Sequence, residues 1–221
     1  YHWTRDSALT MDTVVLLYAK ATNANDKKFY FNTLVDFINF ERHLQFLPSP
    51  GGLGEPKFRV DGTIYNEPWG RPQNDGPALR VITLAKFAFI LLQEGNREFV
   101  EKYLYNDDFQ SMMKMDLEYT AHQWMQPSFD LWEEVYGHHF YTRIVQRKAL
   151  LLGAQLASKM NDPAAAHFYL QQAELLKRAL EDHWNPQYQY LMTTFDRVAG
   201  FDYKVSNLDT AQLLGVIHSN T

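Results

Sequence analysis

Apolar residues recur along most of this 221-residue chain at the three- and four-residue spacing that is typical of helices. The seven predicted helices cover about 8–21, 26–45, 78–93, 109–124, 140–160, 163–184 and 207–217. Asp162-Pro163 is a typical beginning for the sixth helix, and Gly95 is a typical end for the third. Asp6 or Ser7 is the expected cap of the first helix, and Asp107 or Asp108 that of the fourth.

The predicted helices differ in how their apolar residues are distributed. The first, third and fifth are apolar on nearly all faces, whereas the second, fourth and sixth have one apolar side. This alternation predicts an all-α fold in which helix pairs form an inner and an outer layer, as in an α/α toroid. A fixed-period repeat is not visible in the sequence, which disfavours tetratricopeptide-like and ankyrin-like arrays.

Two stretches lack the helical pattern. Residues 51–75 form a long loop rich in Gly and Pro, and a compact domain rarely keeps such a loop without a function for it. Residues 187–204 alternate tyrosines with polar residues, which is compatible with a hairpin or an irregular loop. We therefore expect the first of these stretches to contribute to a site.

Composition excludes several classes of function. A formal charge of −5 disfavours a nucleic acid partner, which requires a basic face. No unbroken apolar run is longer than that of residues 87–92, which is too short to span a bilayer, so we expect no membrane association. The chain has no cysteine, and its eight histidines include no pair at helical ligand spacing, so we expect neither a metal site nor a cofactor.

The segment 127–142, PSFDLWEEVYGHHFYT, concentrates the candidate chemistry. Asp130, Glu133 and Glu134 lie beside Trp132, and carboxyl groups next to an indole are typical of sugar chemistry. A carboxyl group held against apolar surface can stay protonated near neutrality and act as a general acid. The alternative is a helix N-terminus, where acidic residues stabilise the first turn through the helix dipole.

The first seven residues, YHWTRDS, form a second candidate. The guanidinium group of Arg5 and the carboxylate of Asp6 together offer donors and acceptors that can bind two neighbouring sugar hydroxyls. The alternative is a helix cap with a local ion pair.

Three separate segments together resemble glycoside hydrolase family 15, the fungal and yeast glucoamylases. They are YHWTRDS at 1–7, GLGEPKF at 52–58 with WGRPQNDGPALR at 69–80, and FDLWEEV at 129–135. The resemblance covers the whole chain and implies an (α/α)6 barrel, of which these helices are an incomplete part. It also implies release of β-D-glucose, with inversion, from the non-reducing ends of starch and maltooligosaccharides, at α-1,4 and more slowly at α-1,6 bonds.

The resemblance implies a role for each matching residue. Glu133 is expected to be the general acid, and Asp130 is a candidate catalytic residue for which we favour a positioning or structural role. The residues expected to bind substrate are Tyr1, Arg5, Asp6, Trp69, Leu131, Trp132 and Glu134.

In this family the catalytic base is a glutamate late in the domain, which the resemblance places beyond Thr221. We therefore expect residues 1–221 to be part of a catalytic domain truncated at both ends, with little or no turnover alone. Secretion is expected from the resemblance only. The competing hypothesis is a non-catalytic helical module that binds a glucan or a protein.

Overall fold

A computed structural model describes residues 1–219 and places most of them in helices. The helices are α1 Thr4–Lys20, α2 Ala24–Gln45, α3 Gly76–Gln93, α4 Arg97–Phe99, α5 Met112–Gln123, α6 Phe140–Lys159, α7 Pro163–Ala179 and α8 Ala211–Ser219, with a π turn at Val100–Leu104 after α4. The strands are β1 His2–Trp3, β2 Lys57–Phe58, β3 Ser128–Phe129, β4 Val135–His139, β5 Trp184–Asn185, β6 Tyr190–Leu191 and β7 Thr194–Gly200.

The helices form the two predicted layers. Helices α1, α3, α6 and α8 pack against one another in chain order, while α2 packs on α1, α5 on α3 and α7 on α6. Helix α3 is long and apolar enough to cross a membrane by length and composition, but 72% of it is buried inside the fold, as in a core helix. The all-α prediction and the alternation of inner and outer helices are therefore confirmed.

Two predicted helix boundaries are confirmed by the backbone. Asp162 accepts a hydrogen bond from the backbone N–H of Ala165 at 3.2 Å, so it caps α7, and Pro163 lies in the first turn. Gly95 has φ +80° after the end of α3, a conformation that glycine adopts without steric cost.

The predicted caps of the first and fourth helices, the end of the sixth and the beginning of the seventh are wrong. Helix α1 already begins at Thr4, so Asp6 and Ser7 lie within its first turn. Helix α5 begins at Met112, because the Asp108 carboxylate accepts the backbone N–H of Gln110 and closes a separate turn before it. Helix α7 ends at Ala179 and α8 begins only at Ala211, so both are shorter than their apolar patterns indicate.

Short antiparallel strands connect the helices at the segments that carry the candidate site residues. Strand β1 pairs with β2, and β4 lies between β3 and β7. The helix N-terminus alternative for the acidic residues of segment 127–142 is therefore wrong, because residues 128–139 form the β3–β4 hairpin and α6 begins only at Phe140. The stretch 187–204, expected to be a hairpin or an irregular loop, contains β6 and β7. Strand β6 pairs with β5, which lies just before the stretch, and β7 pairs with β4.

A buried ionic cluster connects the inner helix α3 to two outer helices. The Arg80 guanidinium donates two hydrogen bonds of 2.7 Å to Asp116 of α5 and one of 2.5 Å to Glu41 of α2. Glu41 also accepts hydrogen bonds from His2 at 2.7 Å and Ser7 at 2.8 Å. Because His2 belongs to β1, the cluster also fixes the strand that carries Trp3.

Candidate active site

Glu133 lies in the turn between β3 and β4 and has an unusual backbone conformation. Its φ is +64°, in the left-handed region that non-glycine residues rarely adopt. The backbone N–H of Glu133 donates to the carbonyl of Asp130 at 3.0 Å, and the N–H of Asp130 donates to the carbonyl of Val135 at 3.0 Å. Strain of this kind persists where the surrounding structure enforces it, and it is concentrated at functional sites.

Two donors fix one oxygen of the Glu133 carboxyl group. Trp3 Nε1 donates to Glu133 Oε1 at 2.8 Å, and Gln73 Nε2 donates to the same oxygen at 3.1 Å. The orientation of the Gln73 amide is set by Arg5, whose Nη1 donates to Gln73 Oε1 at 2.8 Å. Within residues 1–219, Glu133 Oε2 has no hydrogen-bond donor, so it is the oxygen available to a ligand.

Arg5 forms an ion pair with a buried carboxylate. Its Nη1 lies 3.1 Å from Asp75 Oδ2, and its Nε lies 3.5 Å from Asp6 Oδ2. Although burial opposes it, the negative charges of Asp75 and Asp6 raise the pKa of Arg5, which therefore stays cationic. The Asp6 side chain is 67% exposed, so its carboxylate remains accessible to a ligand.

An aromatic cage surrounds the ammonium group of Lys57 next to this network. Lys57 Nζ lies 3.4 Å from the ring centroid of Trp69, 4.1 Å from Tyr1, 4.3 Å from Tyr65 and 4.8 Å from Trp3. Burial lowers the pKa of Lys57, and the negative charge of Glu133 opposes that shift. The cation holds the four rings in fixed positions through cation–π attraction.

A cavity of about 440 Å³ opens beside Glu133. It brings together residues from β1 and α1, from the β3–β4 turn and from α6 and α8. Its lining residues are Trp3, Arg5, Asp6, Leu9, Leu131, Trp132, Glu133, Tyr141, Leu214 and His218. Tyr141 Oη and His218 Nδ1 lie 2.9 Å apart at one wall, and burial lowers the pKa of His218.

Asp130 is buried in the same turn and acts on the backbone. Its Oδ1 accepts hydrogen bonds from the backbone N–H groups of Glu134 at 2.7 Å and Val135 at 2.9 Å. Only 3% of its surface is exposed, and it does not line the cavity beside Glu133. These contacts fit a residue that shapes the turn.

Glu134 and Trp132 turn toward residues that follow β7. Lys204 Nζ forms an ion pair with Glu134 Oε2 and lies 3.2 Å from Asp209 Oδ2. Tyr203 Oη donates to Glu134 Oε1 at 3.2 Å, and Trp132 Nε1 donates to Asp209 Oδ1 at 2.8 Å. The turn is therefore held from both sides, by β1 and by the segment after β7.

The structure brings five of the nine predicted site residues to one cavity: Arg5, Asp6, Leu131, Trp132 and Glu133. Tyr1 and Trp69 lie in the Lys57 cage and do not line this cavity, but both rings contact Trp3, whose indole N–H donates to Glu133. Glu134 does not line this cavity and contacts Tyr203 and Lys204 instead. The individual roles of these nine residues remain predictions.

Sequence reasoning missed several residues of the site. Trp3, Lys57 and Gln73 lie within the segments that resemble family 15, and that position is the sequence feature that could have identified them as site residues. Tyr141 and His218 had none, because only the packing of α6 and α8 brings them to the cavity. Within residues 1–219, no group of three or more His, Cys, Asp or Glu side chains is arranged to hold a metal ion.

Comparisons with known proteins assign the chain to one family. The sequence profile described as glycosyl hydrolases family 15 matches residues 1–221. A glucoamylase of Blastobotrys adeninivorans is 40% identical over 99% of this chain and 35% of its own length. Glucoamylase 1 of Rhizopus oryzae is 37% identical over 97% of this chain and 34% of its own length.

Solved structures give the same result. The family 15 glucoamylase of Hypocrea jecorina superposes with a TM-score of 0.88 at 30% identity, covering 99% of this chain and 35% of that one. The glucoamylase of Saccharomycopsis fibuligera gives 0.83 at 30% identity, covering 99% and 48%. The chain thus spans about a third to a half of the length of these relatives. On the combined evidence of profile, sequence and fold, this chain belongs to glycosyl hydrolases family 15.

Proposed function

We propose that the protein is a glucoamylase that hydrolyses starch and maltooligosaccharides from their non-reducing ends. The observation that carries the proposal is the geometry of Glu133, with one carboxyl oxygen fixed by Trp3 and Gln73 and the other available at a cavity. Family membership and the names of its relatives support the same substrate class. We also propose, from the family alone, that the protein is secreted.

In the proposed mechanism Glu133 is the general acid. The proton on Oε2 passes to the glycosidic oxygen as the bond from that oxygen to C1 breaks, so the leaving sugar departs as a neutral alcohol. The hydrogen bonds from Trp3 and Gln73 keep the other oxygen in place, which directs the protonated oxygen toward the cavity. Positioning of this kind lowers the entropic cost of proton transfer.

Inversion requires a second carboxylate on the opposite face of the sugar. It accepts a proton from the water that attacks C1, and the two carboxyl groups are about 6.5–9.5 Å apart in such enzymes. We propose that this base lies beyond Thr221, as the family resemblance implies. Asp6 and Arg5 are proposed to bind hydroxyls of the terminal glucose, since both line the cavity.

Glucose release tests this proposal. The full-length protein incubated with soluble starch is expected to release β-D-glucose, followed by polarimetry before and after mutarotation is accelerated by base. Release of the α anomer would contradict inversion, and oligosaccharide products would contradict exo action. A folded protein that binds maltoheptaose without releasing glucose would favour the binding-module hypothesis.

Asp130→Asn separates a structural role from that of a catalytic base. The Asn side-chain oxygen can still accept the backbone N–H groups of Glu134 and Val135, although a neutral acceptor binds them more weakly. We therefore expect kcat for maltose to fall by no more than about tenfold, whereas loss of a base costs about 10²–10⁴-fold. A loss of kcat in the higher range with unchanged thermal stability would indicate that Asp130 is a catalytic residue.

A further inference from the structure

The segment that follows β7, residues 201–209, carries an exposed pair of aromatic rings beside the active-site turn. We refer to these residues as the β7–α8 arm. The rings of Phe201 and Tyr203 stack with centroids 5.3 Å apart and an interplanar angle of 29°. They are 53% and 61% exposed, so most of both rings is accessible to a ligand.

Four contacts attach the base of the arm to the turn that carries Glu133. The backbone N–H of Phe201 donates to the carbonyl of Glu134 at 2.9 Å, and the Tyr203 hydroxyl donates to the Glu134 carboxylate. Lys204 pairs with the same carboxylate, and Asp209 accepts the indole N–H of Trp132. The ring pair is therefore fixed relative to the proposed general acid.

Gly200 permits this close attachment. A Cβ atom at this position would lie 2.2 Å from the carbonyl oxygen of Glu134, and the residue has φ +96°. Only glycine fits both the space and the backbone conformation. The arm thus leaves β7 at a point where any larger residue would push it away from the turn.

The chemistry around the rings favours a sugar over an apolar protein surface. Trp132, itself 41% exposed, lies on the same turn. The charged groups of Glu134, Lys204 and Asp209 contact one another, and they also bond to the hydroxyl of Tyr203 and to the indole N–H of Trp132. An apolar partner covering this surface would desolvate those charges without replacing their contacts with water, which is costly. A glucan offers C–H faces to the rings and hydroxyls to the charged groups.

We propose that Phe201 and Tyr203 form a binding platform for the glucose units of an α-glucan beyond the leaving sugar. The inference rests on the proposed function, because Glu133 defines where the scissile bond lies. The platform stabilises long substrates more than maltose, which is too short to reach it. It therefore sets the chain-length preference of the enzyme.

Phe201→Ala tests the platform, because it removes a ring and keeps the backbone N–H that bonds to Glu134. The ratio of kcat/KM for maltoheptaose to that for maltose is expected to fall about three- to tenfold, as for the loss of an aromatic contact. Phe201→Trp is expected to keep the ratio near its original value. The matched control is Phe29→Ala on α2, which removes a 66% exposed ring paired with Tyr30 and is expected to leave the ratio unchanged.

A second measurement separates this inference from the proposed function. Binding of maltoheptaose and of maltose to the Glu133→Gln protein, with and without Phe201→Ala, is measured by isothermal titration calorimetry. A selective loss of maltoheptaose affinity supports the platform even if the original protein releases no glucose. Unchanged ratios in both kinetics and binding would overturn the platform, and a lower melting temperature alongside them would assign Phe201 to protein packing.

Discussion

Glu133→Gln is expected to lower kcat for maltose and maltoheptaose by about 10²–10⁴-fold, the usual contribution of a positioned general acid. The amide keeps the size of the side chain, and its oxygen can still accept the hydrogen bonds that Trp3 and Gln73 donate to Glu133 Oε1. Only the transferable proton is lost. The affinity for maltose is therefore expected to change little, because binding uses shape and donors that remain.

Initial rates of glucose release and calorimetric titration with maltose check this prediction in the full-length protein. The matched control is Glu174→Gln on the exposed side of α7, which removes one negative charge far from the cavity and is expected to leave kcat unchanged. Turnover that survives Glu133→Gln would end the assignment of Glu133 as the acid. Equal loss of binding and rate would instead indicate that the turn had rearranged.

Arg80→Met is expected to reduce the free energy of unfolding at pH 7 by about 3–5 kcal/mol, the usual cost of leaving a buried charge without its partner. Glu41 and Asp116 are each 0% exposed, and the substitution removes the guanidinium between them. Urea denaturation of the original protein and the variant measures the difference. The matched control is Arg97→Met, which breaks the exposed pair with Glu101 and an exposed hydrogen bond to the carbonyl of Lys159, and is expected to cost no more than about 1 kcal/mol.

The pH dependence of that loss identifies its cause. In the original protein burial already raises the pKa of Asp116, while His2 and Arg80 overcome burial and lower the pKa of Glu41. Without Arg80 we expect the folded-state pKa of both carboxyl groups to lie above the unfolded value of about 4. The variant therefore loses stability as pH rises through those values, and its deficit should be smaller at pH 4 than at pH 7. A deficit independent of pH would indicate lost packing instead.

The sequence predicted the helices better than it predicted the turns. Helix α3 is packed against α1, α5 and α6, so it is buried on nearly every face. Its residues are correspondingly apolar on nearly every face, which made the helix and its burial predictable from the sequence. The β3–β4 hairpin was not predicted, although Val135, Gly137 and His139 alternate with more exposed neighbours along β4. Strand β3 has two residues and pairs with β4, and β4 in turn pairs with β7, which is about 60 residues further along the chain.

The site could be predicted only as far as its residues lie in contiguous motifs. Glu133 and Arg5 stand in recognisable segments, but the hydrogen bonds that link Glu133 to Trp3 and Gln73 cross sequence separations of 130 and 60 residues. The contact of Glu134 with Lys204 crosses a similar distance in the chain. Local spacing carries no information on such contacts, because they are produced by the packing of whole helix pairs.

If Glu133 is the acid that we propose, its left-handed backbone places catalysis and stability in opposition at one position. A non-glycine residue in this region costs about 1 kcal/mol or more relative to its preferred conformations. Glycine or asparagine would relieve that cost but could not donate the proton that we propose for Glu133, so we expect a screen for thermostability alone to select inactive proteins at this residue. Stabilising substitutions are therefore better sought on the outer helices α2, α5 and α7, where the backbone of the acid is untouched.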